Sequence, residues 1–256
     1  MSYYIDTHTH LFLPEFDNDR DTVIGTSLEK NIKKFILPNI DSSTIESMLK
    51  VAGQYPGICF PTIGLHPTSV KNDFETELAI IEQCLDKYKF YAIGEIGIDL
   101  YWDKTYIEEQ IEVLKRHLKY AEKYNLPLII HSRKSLDEII KVLEKNSYQN
   151  IKGVFHCFPG NEDQAYTIIE MGFILGIGGV VTYKNAGLAK VVEKTGLENI
   201  ILETDSPYLS PVPKRGSRND SSNIIYIAQK IAEIKNISIE EVAEVTTNNA
   251  IKIFNL

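Results

Sequence analysis

Seven side chains that can bind a metal ion or transfer a proton stand where apolar, strand-like runs of the sequence end. They are His8, His10, His66, Glu95, His131, His156 and Asp205. Imidazole is a common ligand of transition metals, and ligands must converge in space however far apart they lie in sequence. In a barrel of parallel strands the carboxyl ends of all strands meet on one face. The pattern therefore predicts a metallohydrolase site on that face.

The segment THTH supplies the first pair of candidate ligands. Residues i and i+2 of a strand point to the same face, so His8 and His10 project together while Thr7 and Thr9 point the other way. Two histidines can also lie hydrogen-bonded in a wet cleft without a metal. Their place at the end of a first strand favours a clamp on one ion.

Glu95 lies inside the apolar run GEIGID, where an unpaired buried carboxylate would be very costly. A metal ion is the natural partner, and one carboxylate can bridge two ions; a salt bridge to a lysine or arginine is the alternative. His131 and His156 each end an apolar run on consecutive strands, although either alone could be a core histidine. Asp205 is the predicted ligand and proton acceptor. Glu203, on the same face, is predicted to orient a ligand or the attacking water.

Eight strand-like runs alternate with helical patterns along the chain. The predicted strands are Tyr3–His8, Lys34–Ile40, Ile58–His66, Tyr91–Ile98, Pro127–Ser132, Gly153–Phe158, Phe173–Val180 and Ile200–Asp205. The predicted helices are Asp19–Ile32, Ser43–Tyr55, Phe74–Tyr88, Glu108–Tyr124, Ser135–Glu144, Glu162–Met171, Leu188–Thr195, Ile224–Lys235 and Ile239–Phe254. Parallel strands need crossover connections, and 256 residues match the roughly 250 of a closed barrel. We therefore expect an α/β fold with a single (β/α)8 TIM barrel domain over residues 1–256 and a metal site at the C-terminal end of the strands.

Composition narrows the class of protein. A net charge of −8 counts against a protein that coats nucleic acid electrostatically. It does not exclude an enzyme that admits a phosphodiester to a site where divalent cations supply positive charge. No apolar run approaches the roughly 20 residues that span a bilayer, and the N-terminus has no signal-like region. We expect a cytoplasmic protein with no membrane contact, and no protein partner can be inferred.

The motifs DTHTH, GLHP, GEIGIDLY, LPLIIHSR, GVFHCFPG, TYKNA, LETDSPYL and RGSRN occur in order along nearly the whole chain. Together they resemble those of the TatD family of metal-dependent deoxyribonucleases, within the amidohydrolase superfamily. The resemblance implies a barrel with two divalent ions (Mg, Mn or Zn) and phosphodiesterase activity on DNA. It implies that His8, His10 and Asp205 hold one ion, that Glu95 bridges, and that His131 and His156 hold the other. The chain departs from the family pattern at Ile96 and after Asp220, where serines follow.

Several further residues are predicted to face the substrate. Guanidinium groups match phosphate oxygens, so the candidate phosphate contacts are Arg133, Arg215 and Arg218. Each could instead be a solvated charge or half of an ion pair. His66 is better placed to contact substrate or orient a ligand than to bind metal. Tyr101 and Trp102 could stack on a base or simply pack their loop, and Asn219 is predicted to cap the following helix.

These features predict a hydrolase for DNA catabolism, a divalent-metal-dependent deoxyribonuclease that acts exonucleolytically on single strands or ends. Asp205 and Glu95 are the predicted catalytic residues, and DNA is the predicted substrate. Two alternatives stay open. One is a metal-dependent amidohydrolase that cleaves a C–N or C–O bond, because fold does not decide substrate. The other is a non-catalytic metal-binding scaffold.

Overall fold

Strands and helices alternate throughout the computed structural model, which describes residues 2–145 and 151–256. The strands are β1 (Tyr4–Asp6), β2 (Ile32–Leu37), β3 (Cys59–Pro61), β4 (Ile93–Asp99), β5 (Leu128–Arg133), β6 (Gly153–Phe155), β7 (Phe173–Ile177) and β8 (Ile200–Leu202). The α-helices in these ranges are α1 (Arg20–Glu29), α2 (Ile45–Gln54), α3 (Phe74–Lys87), α4 (Ile107–Tyr124), α5 (Leu136–Lys145), α6 (Glu162–Glu170), α7 (Leu188–Lys194), α8 (Ile224–Lys235) and α9 (Ile239–Phe254). The predicted alternation is therefore confirmed.

The strands form one ring. Strands β1 to β3 pair in parallel, as do β4 to β8, and each strand neighbours the next in sequence. The Gly94 amide donates to the Ile63 carbonyl at 2.8 Å and joins the segment after β3 to β4. On the other side, the Thr7 amide donates to the Leu202 carbonyl at 3.1 Å and joins β1 to β8. These bonds close the two sheets into the (β/α)8 barrel that the sequence predicts.

The barrel interior is apolar at its amino end. Each strand, or for β4 the residue just before it, contributes one inward side chain to a buried cluster: Ile5, Ile36, Phe60, Ala92, Ile129, Val154, Ile174 and Ile201. Helix α9 adds Ala250 and Phe254 to the same cluster and so covers this end. A second apolar cluster packs the outer faces of the strands against the surrounding helices. The carboxyl end of the barrel is thus left for polar side chains.

Strands β4 and β5 approach each other closely because of Gly97. Its φ of 144° lies in a region that favours glycine. A Cβ at this position would collide with the His131 carbonyl oxygen. The close approach aligns Gly97 with His131 and Asp99 with Arg133 in the parallel register, which fixes the relative height of two strands that carry site residues.

The observed elements differ from the predicted ones mainly at their ends. The helix predicted over Asp19–Ile32 ends at Glu29, because Asn31 adopts a φ of 63° and Ile32 begins β2. Several strands end earlier than predicted; β3, for example, ends at Pro61, and His66 lies in the segment beyond it. None of the helices in the described ranges is long and apolar enough to cross a membrane.

Candidate metal centre

The first pair of histidines lies at the carboxyl end of β1, as the THTH spacing predicts. Their Nε2 atoms are 3.3 Å apart, and both side chains are buried. The Glu95 Oε2 atom lies 3.1 Å from Nε2 of His8 and 3.8 Å from Nε2 of His10. Asp205 Oδ1 approaches the same two nitrogens, at 3.7 and 3.5 Å. Two histidines and two carboxylates therefore surround one point at the barrel mouth.

The other oxygen of Glu95 faces a different set of histidines. Oε1 lies 3.0 Å from Nδ1 of His131 and 3.3 Å from Nε2 of His156. It also lies 3.4 Å from Nε2 of His66. The two oxygens of one buried carboxylate thus serve two separate groups of imidazoles.

His66 is closer to this centre than its predicted role requires. The sequence predicts that His66 contacts substrate or orients a ligand. In the structure, however, Nε2 of His66 is nearly as close to Glu95 Oε1 as Nε2 of His156 is. Its Nδ1 is 2.7 Å from the Thr68 hydroxyl and accepts from the Thr68 amide at 3.2 Å, which fixes the ring. The geometry therefore gives His66 the same access to a shared ion as the predicted ligands have.

Asp99 is a site residue that the sequence argument missed. Its Oδ2 lies 3.0 Å from Nε2 of His131, and its side chain is buried. Burial lowers the pKa of His131, but hydrogen bonds to Asp99 and Glu95 outweigh burial and raise that pKa. The signal was present in GEIGID, where Asp99 is the second acid of the motif. Its contact with His131 depends on the register between β4 and β5, which the motif does not contain.

Glu203 lies behind His156, in the position predicted for an orienting group. Its Oε1 is 3.2 Å from Nδ1 of His156 and accepts the Cys157 amide at 2.5 Å. Gly176 on β7 leaves the space that the Glu203 carboxylate occupies, because a Cβ there would collide with it.

Burial raises the pKa of the Cys157 thiol to about 12. Since the thiolate is the metal ligand, Cys157 is a poor donor at neutral pH.

The charges of the site suit a cation. Burial alone would raise the pKa of Glu95, but the surrounding histidines, His8 first, outweigh burial and hold it well below its ordinary value. The pKa of Asp205 is lowered in the same way: burial alone would raise it, but the hydrogen bond from His10 and the charges of His156, His8 and His10 together outweigh burial. Burial lowers the pKa of His8, so its neutral form, the one that binds metals, is favoured. Two ionised carboxylates and the neutral imidazole of His8 are therefore available together, whereas neighbouring carboxylates raise the pKa of His131 and His156.

The donor spacing fits divalent metal ions. Two ligand atoms each about 2.1 Å from one tetrahedral ion are about 3.4 Å apart, close to the nitrogen–oxygen distances at Glu95 and Asp205. Three sets of donor atoms lie within 4.8 Å of one another: His8, His156 and Asp205; His8, His10 and Glu95; His66, Glu95 and His131. Mixed imidazole and carboxylate donors suit zinc, manganese and related ions. The residues present can therefore hold the metal that the sequence predicts.

Two of the candidate phosphate-binding arginines lie on aromatic rings. The Arg133 guanidinium carbon is 3.9 Å from the Tyr101 ring centroid, and that of Arg215 is 4.0 Å from the Tyr183 centroid. Both pairs are cation–π contacts, which leave the guanidinium nitrogens available to an anion. Phosphate binding by Arg133 and Arg215 stays a prediction.

Arg218 already has a carboxylate partner. Its guanidinium nitrogens bind both oxygens of Asp19, at 3.0 and 2.6 Å, and one of them also donates to the Glu15 carbonyl. A phosphate contact from Arg218 stays a prediction that would require this pair to open.

The predicted capping role of Asn219 is wrong. Its amide donates to the carbonyls of Thr204, at 2.8 Å, and Tyr208, at 2.7 Å. These bonds attach the loop after β8 to the strand end that carries Asp205. Asp220 instead caps the 3-10 turn Ser221–Asn223 that leads into α8, because its side chain accepts the Ser222 amide at 2.9 Å.

Comparisons with known proteins show the family to which the chain belongs. The profile of the TatD related DNase family matches residues 5–255. The chain is 35% identical to the uncharacterized metal-dependent hydrolase YabD of Bacillus subtilis (strain 168), over 98% of each chain. It is 32% identical to deoxyribonuclease TATDN3 of Homo sapiens, over 98% of this chain and 94% of that protein. The crystal structure of YjjV, a TatD homolog from Escherichia coli K12, superposes with a TM-score of 0.93 at 29% identity and covers 99% of this chain and 98% of its own. By fold, motifs and similarity, the chain belongs to the family of TatD related DNases.

Proposed function

We propose that this protein is a divalent-metal-dependent deoxyribonuclease that hydrolyses phosphodiester bonds of DNA at single strands or strand ends. One observation carries the proposal: Glu95 Oε2 faces His8 and His10, whereas Oε1 faces His131, His156 and His66. This arrangement supports two ions that share one carboxylate. The deoxyribonuclease name of the human relative supports DNA as the substrate.

The residues of the site have different roles in the proposed reaction. Divalent cations held by these donors would supply the charge that polarises a phosphoryl oxygen and acidifies water. Asp205 takes the proton from the attacking water; its side chain is 14% exposed, whereas that of Glu95 is 3% exposed. Asp99 binds His131, and Glu203 lies 3.2 Å from His156, in each case at the ring nitrogen that faces away from Glu95, where each carboxylate can orient the ring.

A hydrolase for C–N or C–O bonds would use the same charges, so the substrate class rests on the rim of the barrel. Arg133 presents a guanidinium two residues beyond His131 on β5. Parallel assays on single-stranded DNA, duplex DNA, RNA and carboxyl ester or amide substrates separate the two classes. Faster turnover of an amide or carboxyl ester than of any nucleic acid would contradict the proposal.

Glu95→Ala tests the shared carboxylate. Losing it should remove nearly all cleavage of a single-stranded oligonucleotide and lower the metal content per chain, while the barrel still folds. Glu170→Ala, at the exposed end of α6, is the matched control and should change neither value. The measurements are oligonucleotide cleavage, metal analysis of the purified protein and circular dichroism. Near-normal cleavage by Glu95→Ala would exclude a mechanism built on two bridged ions, and full metal content without cleavage would exclude metal loss as the cause.

A further inference from the structure

The loop after β4 exposes two large aromatic side chains beside the metal centre. Trp102, the only tryptophan in the chain, is 68% exposed, and Tyr101 is 46% exposed. Burying such a ring would be favourable, because aromatic side chains carry 150–250 Å² of surface. Loop packing, the ordinary alternative for these residues, therefore does not account for Trp102. Tyr and Trp are enriched at binding interfaces, so two adjacent exposed aromatic rings at the mouth of a site are a candidate binding surface.

This loop is attached directly to the metal centre through Asp99. Asp99 Oδ1 accepts the Tyr101 amide at 2.8 Å and the Trp102 amide at 3.3 Å. Its other oxygen lies 3.0 Å from Nε2 of His131. The Asp99 carboxylate therefore contacts both the backbone of Trp102 and His131, a histidine that faces Glu95. The exposed Trp102 ring is thus attached, through one residue, to the metal centre.

A cation completes the surface. The Arg133 guanidinium carbon lies 3.9 Å from the Tyr101 centroid and 5.1 Å from that of Trp102. Lys134 adds a second positive charge, 4.9 Å from the Tyr101 centroid. Arg133 pairs in register with Asp99 and follows His131 on the same face of β5. A planar ring to stack on and a cation for an anionic group therefore lie side by side next to the metals.

We propose that Trp102 stacks on an unpaired base of single-stranded DNA adjoining the cleaved bond, while Arg133 contacts a phosphate of the same strand. The inference rests on the proposed function and names the substrate contact on which a preference for single strands would depend. A base in a duplex is covered on both faces by its neighbours and cannot stack on a side chain, whereas an unpaired base can. Stacking of this kind tolerates any base, since every base has a π-face.

The binding experiment uses the metal-loaded full chain and a short oligothymidylate with hydrolysis-resistant phosphorothioate linkages. An abasic oligomer of equal length and linkage is the comparison ligand, because it keeps the charges and removes the bases. Trp102→Ala should weaken binding of oligothymidylate roughly 5- to 150-fold, the range of one base–aromatic contact. It should barely change binding of the abasic oligomer, and Trp102→Phe should retain most of the affinity.

Tyr88→Ala is the matched control for this substitution. Tyr88 is 40% exposed with the Lys87 ammonium 4.9 Å from its ring centroid, but it precedes β4 and so lies at the opposite end of the barrel. It should bind both oligomers like the unaltered protein. Because Trp102 is the sole tryptophan, its fluorescence reports on this loop alone. Saturable quenching by oligothymidylate, but not by the abasic oligomer, is the expected result.

The outcomes separate the two proposals. If the metal-loaded protein cleaves no DNA, the proposed function fails and this inference fails with it. If it cleaves single strands but Trp102→Ala binds oligothymidylate as tightly as before, only the stacking contact is overturned. A fall in kcat with unchanged affinity would also overturn it, because the loop would then act by positioning Asp99. Equal quenching by both oligomers would show a phosphate contact without stacking.

Discussion

Replacing Gly176 by alanine tests whether the site depends on the position of Glu203. The added Cβ would lie 2.9 Å from Cδ of Glu203 and 3.1 Å from Cα of His156, with the Glu203 Oε2 atom closer still. Ordinary carbon–carbon contacts are about 3.5–4.0 Å, so the carboxylate or the strand must move. Overpacking of this kind typically costs about 1–3 kcal/mol of unfolding free energy.

The effect on the site should exceed the effect on the fold. A displaced Glu203 no longer holds Nδ1 of His156, which it approaches at 3.2 Å. Groups that orient a ligand in this way are typically worth about 10–100-fold in metal affinity or activity. We expect kcat/KM on single-stranded DNA, or the metal affinity, to fall by that factor in Gly176→Ala. Urea unfolding and titration with a competing chelator measure the two effects separately.

Gly25→Ala is the control, because Gly25 lies in α1 and a Cβ there meets nothing within 4 Å. It should raise the unfolding free energy by about 0.5–1 kcal/mol and leave metal binding unchanged. If Gly176→Ala keeps both the stability and the metal affinity of the unaltered protein, the space at β7 is not what positions Glu203, and the reasoning is refuted.

Three further predictions concern the proton acceptor, a buried histidine and the arginines. Asp205→Asn keeps one oxygen donor but cannot take a proton, so metal should remain bound while kcat falls steeply; a rise in KM alone would make Asp205 a substrate contact. His117 is buried, and burial lowers its pKa from 6.5 to about 4. As the pH falls, the unfolded chain therefore takes up a proton at this histidine before the folded protein does. The stability that neutral His117 contributes is complete above pH 6.5 and is lost as the pH falls towards 4. By pH 5 the loss is about 2 kcal/mol, and comparing urea unfolding with that of His117→Gln at pH 7.5 and pH 5 isolates it; an identical pH dependence in the two proteins would contradict the assignment. Arg133→Ala should reduce the magnitude of the log–log salt slope for single-stranded DNA binding by about 0.7, whereas Arg218→Ala should do so only if its pair with Asp19 opens on binding; an unchanged slope for Arg133→Ala would favour the C–N or C–O hydrolase.

Part of the site follows from alternation along the strands. On β5, Ile129 lies in the apolar interior cluster, and His131, two residues later, reaches the metal centre. The segments through Val154 and His156 and through Ile201 and Glu203 repeat the pattern. Because side chains alternate with a period of two, an apolar run that ends in a histidine or acid predicts both the core layer and the polar layer above it.

Other parts of the site depend on irregularities that no periodic pattern contains. Ala92 faces the interior, so strict alternation would not turn Glu95 inward. The pairing of β4 with β5 shifts between Ile93 and Ile96, and this shift brings Glu95 to the centre. The burial cost of a carboxylate predicted a partner for Glu95, but not the geometry that supplies it. The contact between Asp99 and His131 depends on the same register.

The loops at the barrel mouth were the least predictable, and they differ from each other in a way that bears on the substrate. The loop after β8 is fixed to the barrel, because Asn219 binds two carbonyls and Arg218 is paired with Asp19. The loop after β4 is held by Asp99, by the Leu100 amide, which donates to the Arg133 carbonyl, and by the ion pair of Lys71 with Asp103, yet it leaves the Trp102 ring open. The sequence indicated the loop after β8 as a DNA contact, because this loop carries Arg215 and Arg218. Both loops expose large apolar side chains, but Arg218 is already paired with Asp19, whereas Arg133 lies beside the open Trp102 ring, as the stacking proposal requires.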